Sequence, residues 1–579
     1  MCAALLYAPH ASAATTFTVT RTDDPPPNGC LPGDCSLREA VIAANTGSGG
    51  DTIAVPAGHF RLGIAGLGEQ NAATGDLDLT KSVTITGAGA RATVIDAMRI
   101  DRVFEVLGGA TVLISDATIT GGVTAGNGAG IESAGTLTLV RDALVGNHAT
   151  GVADGGGIDS GGPALTITQS TLAGNEGYNG GAIQFSHLLT VTSSTITGNA
   201  GGGPGLNGDG GGISGSSGST ALIKSSTITG NEAFNGTGSG GGIDSPGVTL
   251  QNSIVSDNRA YAPDLSAAYS DNCAGATASQ GHNLSDDTSC GLTGTGDHQG
   301  VPVPLGPLAD NGGPTDTQAP APGTIAVDAG TGCPAQDQRG VSRPRGAACD
   351  VGAYEVAPPL ATTGAASGVT FGGATLNGTV DPSARETTAV FQYGTTASYG
   401  STVERGIVGS GVGSVPVSTK LAGLRQGVTY HYRLVATNAE GTTVGADQTF
   451  TTLDKVKPVL SLLRVLPGLF HRNKGATIGF RLSEAAMVTL RVDRVLRGVR
   501  RHGSCVVRKR RGRGKPCTRY VPVPGSFRQT AAEGPNTFHF DARVGGRLLF
   551  PGPYRLRASP RDNAGNVGKT AVAAFRVLR

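Results

Sequence analysis

The sequence predicts an all-β protein in which a long solenoid is followed by two small β-sandwiches. The main observation is a repeat between Leu113 and Asn258, in which a glycine cluster closed by isoleucine leads through an alternating strand to an asparagine. The isoleucines are Ile131, Ile158, Ile183, Ile213 and Ile243, and the asparagines are Asn147, Asn175, Asn199, Asn231 and Asn258. A unit of this size cannot bury an apolar face alone, so copies must stack into a continuous core.

Composition supports this fold class. Glycine accounts for 93 of the 579 residues, and it clusters at the repeat turns without a collagen period. Hydrophobic residues make up 38% of the chain, with Val, Ile, Leu and Thr in alternating runs. This pattern is typical of packed strands and excludes a disordered chain.

The first 14 residues predict a truncated secretory signal peptide. A short apolar run precedes Ala11-Ser12-Ala13, a small-x-small cleavage pattern, but the basic segment that usually comes first is missing. An ordinary apolar N-terminus is the alternative. The remaining chain has no stretch of 18 consecutive apolar residues, so no membrane span is expected.

The cysteines also favour export. Eight of the nine fall into four local pairs, which proximity predicts to be disulfides: Cys30 with Cys35, Cys273 with Cys290, Cys333 with Cys349, and Cys505 with Cys517. The sequence alone leaves the connectivity open. No pair has the two-residue gap of a zinc knuckle, and we expect no metal ion or other cofactor.

A short helix is predicted before the strands. Ser36 and Glu39 have the spacing of a capping box, and the apolar side chains that follow share one helical face. Such a helix suits the open first rung of a solenoid, where unpaired backbone groups would otherwise recruit another chain. We therefore interpret residues 15 to 356 as one solenoid domain, with first coils from Asp51 to Val106 and terminal coils with a second cap from about residue 260.

Two sandwich domains follow, at residues 357 to 453 and 454 to 579. Pro358-Pro359 and then Pro458 mark the boundaries, and each segment alternates strand patterns with turns rich in Gly, Asn and Ser. Tyr430 lies at the entry of an alternating strand, where a tyrosine corner pins one sheet of a sandwich.

The last domain is strongly basic. Residues 454 to 579 contain 27 Lys or Arg and 6 Asp or Glu, whereas the rest of the chain contains 18 and 37. A loop at the Cys505 and Cys517 pair concentrates this charge: Arg500 and Arg501 precede the first cysteine, and Arg508, Lys509, Arg510, Arg511, Arg513 and Lys515 lie between the two. It suits an anionic envelope polymer or acidic polysaccharide, with a solvated loop as the alternative. Nucleic acid is not expected, because no aromatic residues are interleaved for base stacking.

One pair of acids is a candidate catalytic site. The residues after the repeat isoleucines should point outward, and this places Glu132 and Asp159 on adjacent coils, roughly 5 Å apart. That spacing is close to the carboxylate separation of retaining glycosidases. Outward acids on a solenoid also commonly serve only to keep the surface hydrated. His148 and Glu176 form a similar pair, for which a surface ion pair is the simpler interpretation.

Two motifs carry a family resemblance. The run Cys35-Ser-Leu-Arg-Glu-Ala40 is similar to the N-terminal element of bacterial CSLREA-domain surface proteins. The runs from Asp337 to Pro344 and from Cys349 to Glu355 resemble the closing motif of the choice-of-anchor Q domain. This resemblance implies a right-handed parallel β-helix of the pectate-lyase-like superfamily and a secreted or cell-surface location.

The two later domains have resemblances of their own. Residues 361 to 453 resemble bacterial fibronectin type III modules, through the runs Ala374 to Val380 and Phe391 to Thr396. Residues 457 to 579 are similar to bacterial Ig-like modules, through the run Pro551 to Arg557. Modules of both kinds act as spacers and attachment units in secreted proteins.

The sequence thus favours a monomeric, secreted or surface protein with a non-catalytic solenoid and adhesive modules that contact polysaccharide. The alternative is a polysaccharide lyase or glycoside hydrolase with its site in a solenoid groove. The Asp clusters and the Gly-His-Gly of polygalacturonases are missing, as are Trp platforms for sugar rings.

Overall fold

In the computed structural model the chain is an all-β protein with a parallel β-solenoid body of about eight turns, followed by antiparallel sheet domains. The structure describes residues 14–203, 205–236, 239–262, 266–275, 277–321, 323–507 and 514–579. The predicted signal peptide therefore lies almost entirely outside the described residues. The predicted fold class is confirmed.

Four parallel sheets form the solenoid, and successive coils supply successive strands of each. Sheet I consists of Leu77–Leu79, Phe104–Val106, Ile131–Ser133, Ile158–Ser160, Ile183–Phe185, Ile213–Gly215, Ile243–Asp244 and Cys273–Ala274. Sheet II consists of Thr16–Thr18, Asp51–Ala54, Val83–Thr86, Thr111–Ser115, Thr136–Val140, Ala164–Thr168, Leu188–Thr192, Thr220–Lys224, Val248–Gln251 and Thr277–Ser279.

The other two sheets close each coil. Sheet III consists of Gly58–Arg61, Thr93–Asp96, Thr118–Thr120, Ala143–Val145, Thr171–Ala173, Thr195–Thr197, Thr227–Thr229, Ile254–Ser256 and Leu284–Ser285. Sheet IV consists of Val123–Thr124, His148–Ala149, Glu176–Gly177, Ala200–Gly201, Glu232–Ala233, Arg259–Tyr261 and the antiparallel Ala268–Ser270.

The repeat isoleucines stack in register along the core. Ile131 pairs with Ile158, Ile158 with Ile183, and the series continues to Ile243. All five are fully buried. The core that they share with the apolar residues of sheets II and III is a single cluster extending from Val19 to Leu292. The stack therefore buries the apolar face that no single repeat could bury.

The repeat asparagines form a buried hydrogen-bond ladder, as their recurrence predicts. The Nδ2 atom of Asn147 donates to Oδ1 of Asn175 at 3.0 Å, and Asn175 donates in the same way to Asn199 at 3.0 Å. The series continues through Asn231 and Asn258 to Asn272. The left-handed backbone expected at the asparagines falls instead on the preceding residue, for example Gly146 with φ 66°. Glycine can adopt that conformation without strain.

A second ladder joins sheets II and III and has no counterpart in the sequence analysis. The hydroxyl of Ser170 accepts from the backbone N–H of Asp142 at 3.0 Å, and Ser194 accepts from Ser170 at 3.1 Å. Ser226 and Ser253 continue the series. Each hydroxyl thus satisfies a buried backbone donor of the preceding coil, which would otherwise lack a partner.

The predicted cap helix is present at Leu37–Thr46. Ser36 and Glu39 complete a reciprocal capping box, with Ser36 N–H donating to Glu39 Oε2 at 2.7 Å. The guanidinium of Arg38 is fully buried, contacts Asp24 at 2.8 Å and donates to three backbone carbonyls, including that of Ala72 at 3.0 Å. The helix is therefore fixed to the first coil by a neutralised, fully hydrogen-bonded charge.

The C-terminal part of the solenoid contains the last coils and a segment that runs back across earlier ones. Pairing in sheet III ends at Leu284–Ser285, and residues 301 to 356, the return segment, run back along the side of the stack. There the amide of Gln338 donates to Thr171 Oγ1 at 2.8 Å and accepts from Thr195 Oγ1 at 2.6 Å. Coil strands therefore continue past residue 260 as far as Leu284–Ser285, and the segment after them packs across earlier coils.

A buried ionic cluster closes the return segment. Arg339 and Asp337 are both inaccessible and lie 2.7 Å apart. Asp337 also accepts the backbone N–H of Glu355 at 3.0 Å, and the Arg339 guanidinium stacks 3.5 Å above the Tyr354 ring. The residues of the closing motif thus hold the return segment together.

The first sandwich pairs a three-stranded sheet with a five-stranded sheet. The former contains Leu360–Ser367, Ala374–Asp381 and Val415–Leu421. The latter contains Thr387–Gly394, Ser401–Gly409, Thr429–Asn438, Gly441–Val444 and Gln448–Thr451. Tyr430 is buried and its hydroxyl accepts the backbone N–H of Arg425 at 3.1 Å, which is the contact expected of a tyrosine corner.

The second sandwich has a larger second sheet. Its three-stranded sheet contains Leu460–Leu466, Ala476–Leu482 and Gly534–Phe540. The seven-stranded sheet contains Leu469–His471, Ala486–Arg501, Ser504–Val507, Pro516–Pro522, Phe527–Ala531, Gly552–Arg561 and Ala571–Leu578. A small hairpin joins Arg543–Val544 to Arg547–Leu548.

All four local cysteine pairs form disulfides in the structure: Cys30–Cys35, Cys273–Cys290, Cys333–Cys349 and Cys505–Cys517. Disulfides persist in oxidising compartments, so these bonds fit an extracellular protein. Among the residues that the structure describes, no helix has the length and apolarity that crossing a bilayer requires.

Replacing one asparagine of the ladder should destabilise the solenoid. Asn199→Ala removes an amide that donates to Asn231 and accepts from Asn175, and it leaves buried partners unsatisfied. We expect a loss of about 1 to 3 kcal/mol in the free energy of unfolding, measured by urea denaturation. Asn235→Ala is the control, because Asn235 makes an exposed contact to Asp209 and its loss should cost less than about 0.5 kcal/mol. Equal effects of the two substitutions would contradict a structural ladder.

Candidate functional site

The outward residues of sheet I form a row of carboxylates, which we call the acidic ladder: Asp78, Glu105, Glu132 and Asp159. Asp78 pairs with Glu105, Glu105 with Glu132, and Glu132 with Asp159, each on adjacent coils. The structure therefore places the predicted pair Glu132 and Asp159 side by side. The sequence analysis missed the other two acids, because their coils have Leu77 and Phe104 where later coils have isoleucine after a glycine cluster.

One arginine neutralises part of this ladder. The Nη1 atom of Arg102 lies 2.7 Å from Glu132 Oε2, 2.9 Å from Glu105 Oε2 and 3.5 Å from Asp76 Oδ2. Arg102 is the residue before Val103, not a repeat position, so periodicity gave no signal for it. Its contacts make Glu132 a member of an ion-pair cluster.

Burial raises the pKa of three carboxyls of the ladder, Asp78, Glu132 and Asp159, and of the neighbouring Asp76. Burial, with the charge of Asp78, raises the pKa of Asp76 to about 8. Burial likewise raises the pKa of Asp78 to about 6 and that of Asp159 to about 6, although Asn127 donates to Asp159 at 3.2 Å. The pKa of Glu132 is also raised by burial, against the opposing charge of Arg102.

This arrangement is a poor general acid and base pair. Catalytic carboxylates are assigned opposite roles when their environments push their pKa values apart. Burial raises the pKa of both Glu132 and Asp159, and the Glu132 carboxylate is engaged by Arg102. The geometry thus brings the two carboxyls together, but their environments do not separate their pKa values into those of an acid and a base.

The second pair from the sequence is a surface contact. His148 Nδ1 lies 3.6 Å from Glu176 Oε2, and their side chains are 38% and 47% exposed. At that exposure a solvated ion pair contributes little to stability.

Among the residues that the structure describes, two groups of three acids offer oxygen ligands close enough for one cation. The ligand oxygens of Asp76, Asp78 and Glu105 lie within 4.8 Å of one another, and Arg102 contacts two of these three acids. The other group is Asp454, Glu484 and Asp562, which line a cavity of about 720 Å³ between the two sandwiches. All-oxygen sets of this kind suit hard cations.

The basic loop predicted in the last domain belongs to a projecting β-structure, which we call the basic arm: residues 494–507 and 514–522. Ala486–Arg501 is 16 residues long, and its second half pairs with Ser504–Val507 on one side and Pro516–Pro522 on the other. Arg500, Arg501 and Lys515 are exposed there. Arg508, Lys509, Arg510, Arg511 and Arg513 lie outside the described residues.

The disulfide Cys505–Cys517 crosses the central strand of the arm. It bridges the two flanking strands at Gly498, where a Cβ atom would lie 2.7 Å from the Cys505 sulfur. Glycine is therefore required under the bond. The covalent link holds the three strands of the arm together, so Arg500 and Lys515 are displayed on a fixed support.

The same sheet carries further arginines on its outer surface, which we call the basic face: Arg491, Arg555, Arg557 and Arg561. Asp493 lies among them and contacts Arg555 at 2.6 Å. The Arg555 guanidinium also stacks 3.4 Å from the centre of the Tyr520 ring. The sequence analysis did not identify this face, although the alternate spacing of Arg555 and Arg557 in a predicted strand is the signal that places them together.

Comparisons with known proteins identify no family. No protein-family model matches the chain and no curated protein sequence matches it, whereas 229 chains of solved structures do. The sensor domain of the anti-sigma factor RsgI4 from Pseudobacteroides cellulosolvens is 18% identical, with 17% of this chain and 100% of that chain covered and a TM-score of 0.15. The FN1-FN3 domains of chicken CNTN1 are 14% identical, with 38% and 67% covered and a TM-score of 0.18.

The buried carboxyls should make the protein less stable as pH rises. The folded-state pKa is about 8 for Asp76 and Asp142 and about 6 for Asp78 and Asp159. An unfolded Asp titrates near pH 4, so between about pH 4 and 8 the folded chain binds more protons and its stability falls with pH. We expect calorimetry to show a lower Tm at about pH 8 than at about pH 5.

Variants test the origin of that pH dependence. Asp76→Asn should shrink the fall in Tm between the two pH values, because the amide cannot ionise. Asp23→Asn is the control, since Arg21 lowers the pKa of Asp23 and so keeps its titration below this range. A fall in Tm that is unchanged in Asp76→Asn would show that other groups cause it.

Proposed function

We propose that this chain is an exported protein held at the cell surface, with a non-catalytic solenoid body and a last sandwich that binds an anionic envelope polymer or acidic polysaccharide. The observation that supports this most directly is the basic arm. It extends one strand of the sandwich, displays Arg500, Arg501 and Lys515 to solvent, and is closed by a disulfide.

The arm suits a repeating polyanion because its charges are exposed and held on a fixed support. A disulfide across three strands reduces the conformational entropy that binding would otherwise cost. Exposed charges act over about 8 Å at physiological ionic strength, so the arm attracts a polymer before any specific contact forms. The excess of 27 basic over 6 acidic residues in this domain strengthens that attraction.

The solenoid is best suited to serve as a rigid structural body. About eight coils at ~4.8 Å each give a stack roughly 40 Å long. Its repeated polar residues are used internally, as the ladder of Asn147, Asn175 and Asn199 illustrates. The helical cap covers the first coil, where unpaired strand edges could otherwise pair with other chains.

We also propose membership in the CSLREA and choice-of-anchor Q group that the sequence resembles. The motif residues Arg38 and Glu39 fix the cap helix, and Asp337 and Arg339 close the return segment. These residues hold the cap helix and the return segment in place, and a motif that defines a family of solenoids would preserve residues with that role. The fibronectin-like and Ig-like identities of the two sandwiches belong to the same proposal.

A polysaccharide lyase or hydrolase is the second candidate. The register that pairs Glu132 with Asp159 on adjacent coils supports it. The ion pair of Glu132 with Arg102 and the parallel shifts of both pKa values weigh against it.

Removing the described charges of the arm should weaken retention on anionic polymer. The variant Arg500→Ala/Arg501→Ala/Lys515→Ala should elute from a polyanion column at a salt concentration lower by about a third to a half, because fewer counterions are released on binding. The control Arg405→Ala/Lys420→Ala/Arg425→Ala removes three exposed charges from the first sandwich and should elute with the wild type. Retention on cells that resists about 1 M salt would contradict the proposal, since screening at that concentration is nearly complete.

Depolymerisation assays separate the two candidate functions. We expect the full chain to release no reducing sugar or unsaturated product from acidic polysaccharides, and Glu132→Gln to behave as the wild type. Product released by the wild type and lost in Glu132→Gln would establish the enzyme and overturn the non-catalytic solenoid.

A further inference from the structure

The basic face contains a cavity that is separate from the basic arm. Its volume is about 380 Å³, and three guanidinium groups and three hydroxyl groups line it: Arg491, Arg557, Arg561, Thr489, Ser559 and Thr570. The two long strands Ala486–Arg501 and Gly552–Arg561 supply five of these six residues, so the cavity lies on rigid elements.

The charges around this cavity are only partly balanced by the protein. Arg491 lies directly opposite Arg557 in the antiparallel pair, an arrangement that is destabilising for like charges. Asp493 contacts Arg555 at 2.6 Å and Arg557 at 3.4 Å. Within the described part of the chain, Arg491 has no ion-pair partner, whereas the Nε atom of Arg557 faces Asp493 Oδ2 at 3.4 Å without forming a hydrogen bond. An anion in the cavity would supply a counterion for Arg491.

We propose that this cavity binds a phosphate or sulfate ester group of the anionic polymer, and this inference rests on the proposed function. Each guanidinium has five N–H donors, and the hydroxyls add to them, although those of Ser559 and Thr570 bond to each other at 2.7 Å. A carboxylate has two oxygens, which would leave several of these donors unpaired. The three terminal oxygens of an ester of sulfate or phosphate accept more hydrogen bonds, and guanidinium groups bind them in bidentate fashion.

The cavity and the basic arm lie along one strand. Arg491 and Arg501 are both in Ala486–Arg501, and ten residues of extended strand span roughly 33 Å. Their even spacing puts them on the same face of the strand. An extended polymer can therefore contact both, with the arm supplying attraction and the cavity selecting the anionic group.

The preference for esters is measured with the full chain and three polymers of matched charge density: dextran sulfate, poly(glycerol phosphate) and polygalacturonate. By calorimetry in about 0.15 M salt, at least one ester polymer should bind at least about tenfold more tightly than the carboxylate polymer. The ester polymer that binds more tightly shows whether the cavity prefers a sulfate ester or a phosphate ester. Equal affinity for all three polymers would overturn the inference and leave the proposed function standing, whereas binding to none would remove both.

Two variants with matched charge changes test whether the preference for ester polymers arises at the cavity. Arg491→Gln/Arg561→Gln should reduce the preference for ester over carboxylate to about twofold or less, with circular dichroism confirming the fold. Arg464→Gln/Arg481→Gln removes the same charge from exposed positions of the three-stranded sheet and should keep the wild-type preference. A preference lost equally in both variants would show a general charge effect and contradict the cavity. Single-stranded DNA that binds more tightly than either ester polymer would also contradict the inference, because it would indicate a nucleic-acid surface.

Discussion

The solenoid depends on one constraint: every coil must bring its asparagine back onto the buried amide ladder. Coils of unequal length meet this requirement because the variation is confined to one place. From each repeat asparagine to the next repeat isoleucine the chain advances 8 to 14 residues, whereas from isoleucine to asparagine it advances 15 to 18. The turn between sheets IV and I therefore absorbs most insertions, and sheets I, II and III stay in register. A buried amide left without its neighbour would cost more than a longer exposed turn.

Buried charge closes the solenoid at both ends of its sequence. Arg38 with Asp24 fixes the cap helix, and Arg339 with Asp337 closes the return segment. Desolvating such pairs is costly, but each guanidinium here also donates to backbone carbonyls. These contacts are specific in direction, so they determine where the helix and the return segment lie. The motifs that resemble a known family are thus explained by closure of the stack and require no catalytic role.

The acidic and basic parts of the molecule suit different tasks. Burial raises the pKa of Asp78 and Asp159 in the acidic ladder to about 6 and that of the neighbouring Asp76 to about 8, and Arg102 balances part of the remaining charge. These carboxyls therefore produce a weaker electrostatic field than the same number of fully ionised carboxylates would. The basic face and the basic arm have few acids to balance them and project from the far domain. A polyanion approaching the chain is attracted to that end and is repelled by the net negative remainder.

The sequence by itself determined the features that depend on local spacing. These features are the stacked isoleucines, the asparagine ladder, the capping box and the four disulfides. Each depends on residues that are near one another in sequence or that recur with a regular period. In a parallel stack, residues that recur with the period of the coil contact one another on adjacent coils. Only the tertiary structure decided the rest: that Arg102 joins the acidic ladder, that residues 301 to 356 return along the stack, and that Arg491 faces Arg557. Those contacts join residues with no shared period, because antiparallel pairing and return of the chain are set by packing of whole sheets. For that reason the predicted pair Glu132 and Asp159 could be placed from sequence, while the arginine that changes its chemistry could not.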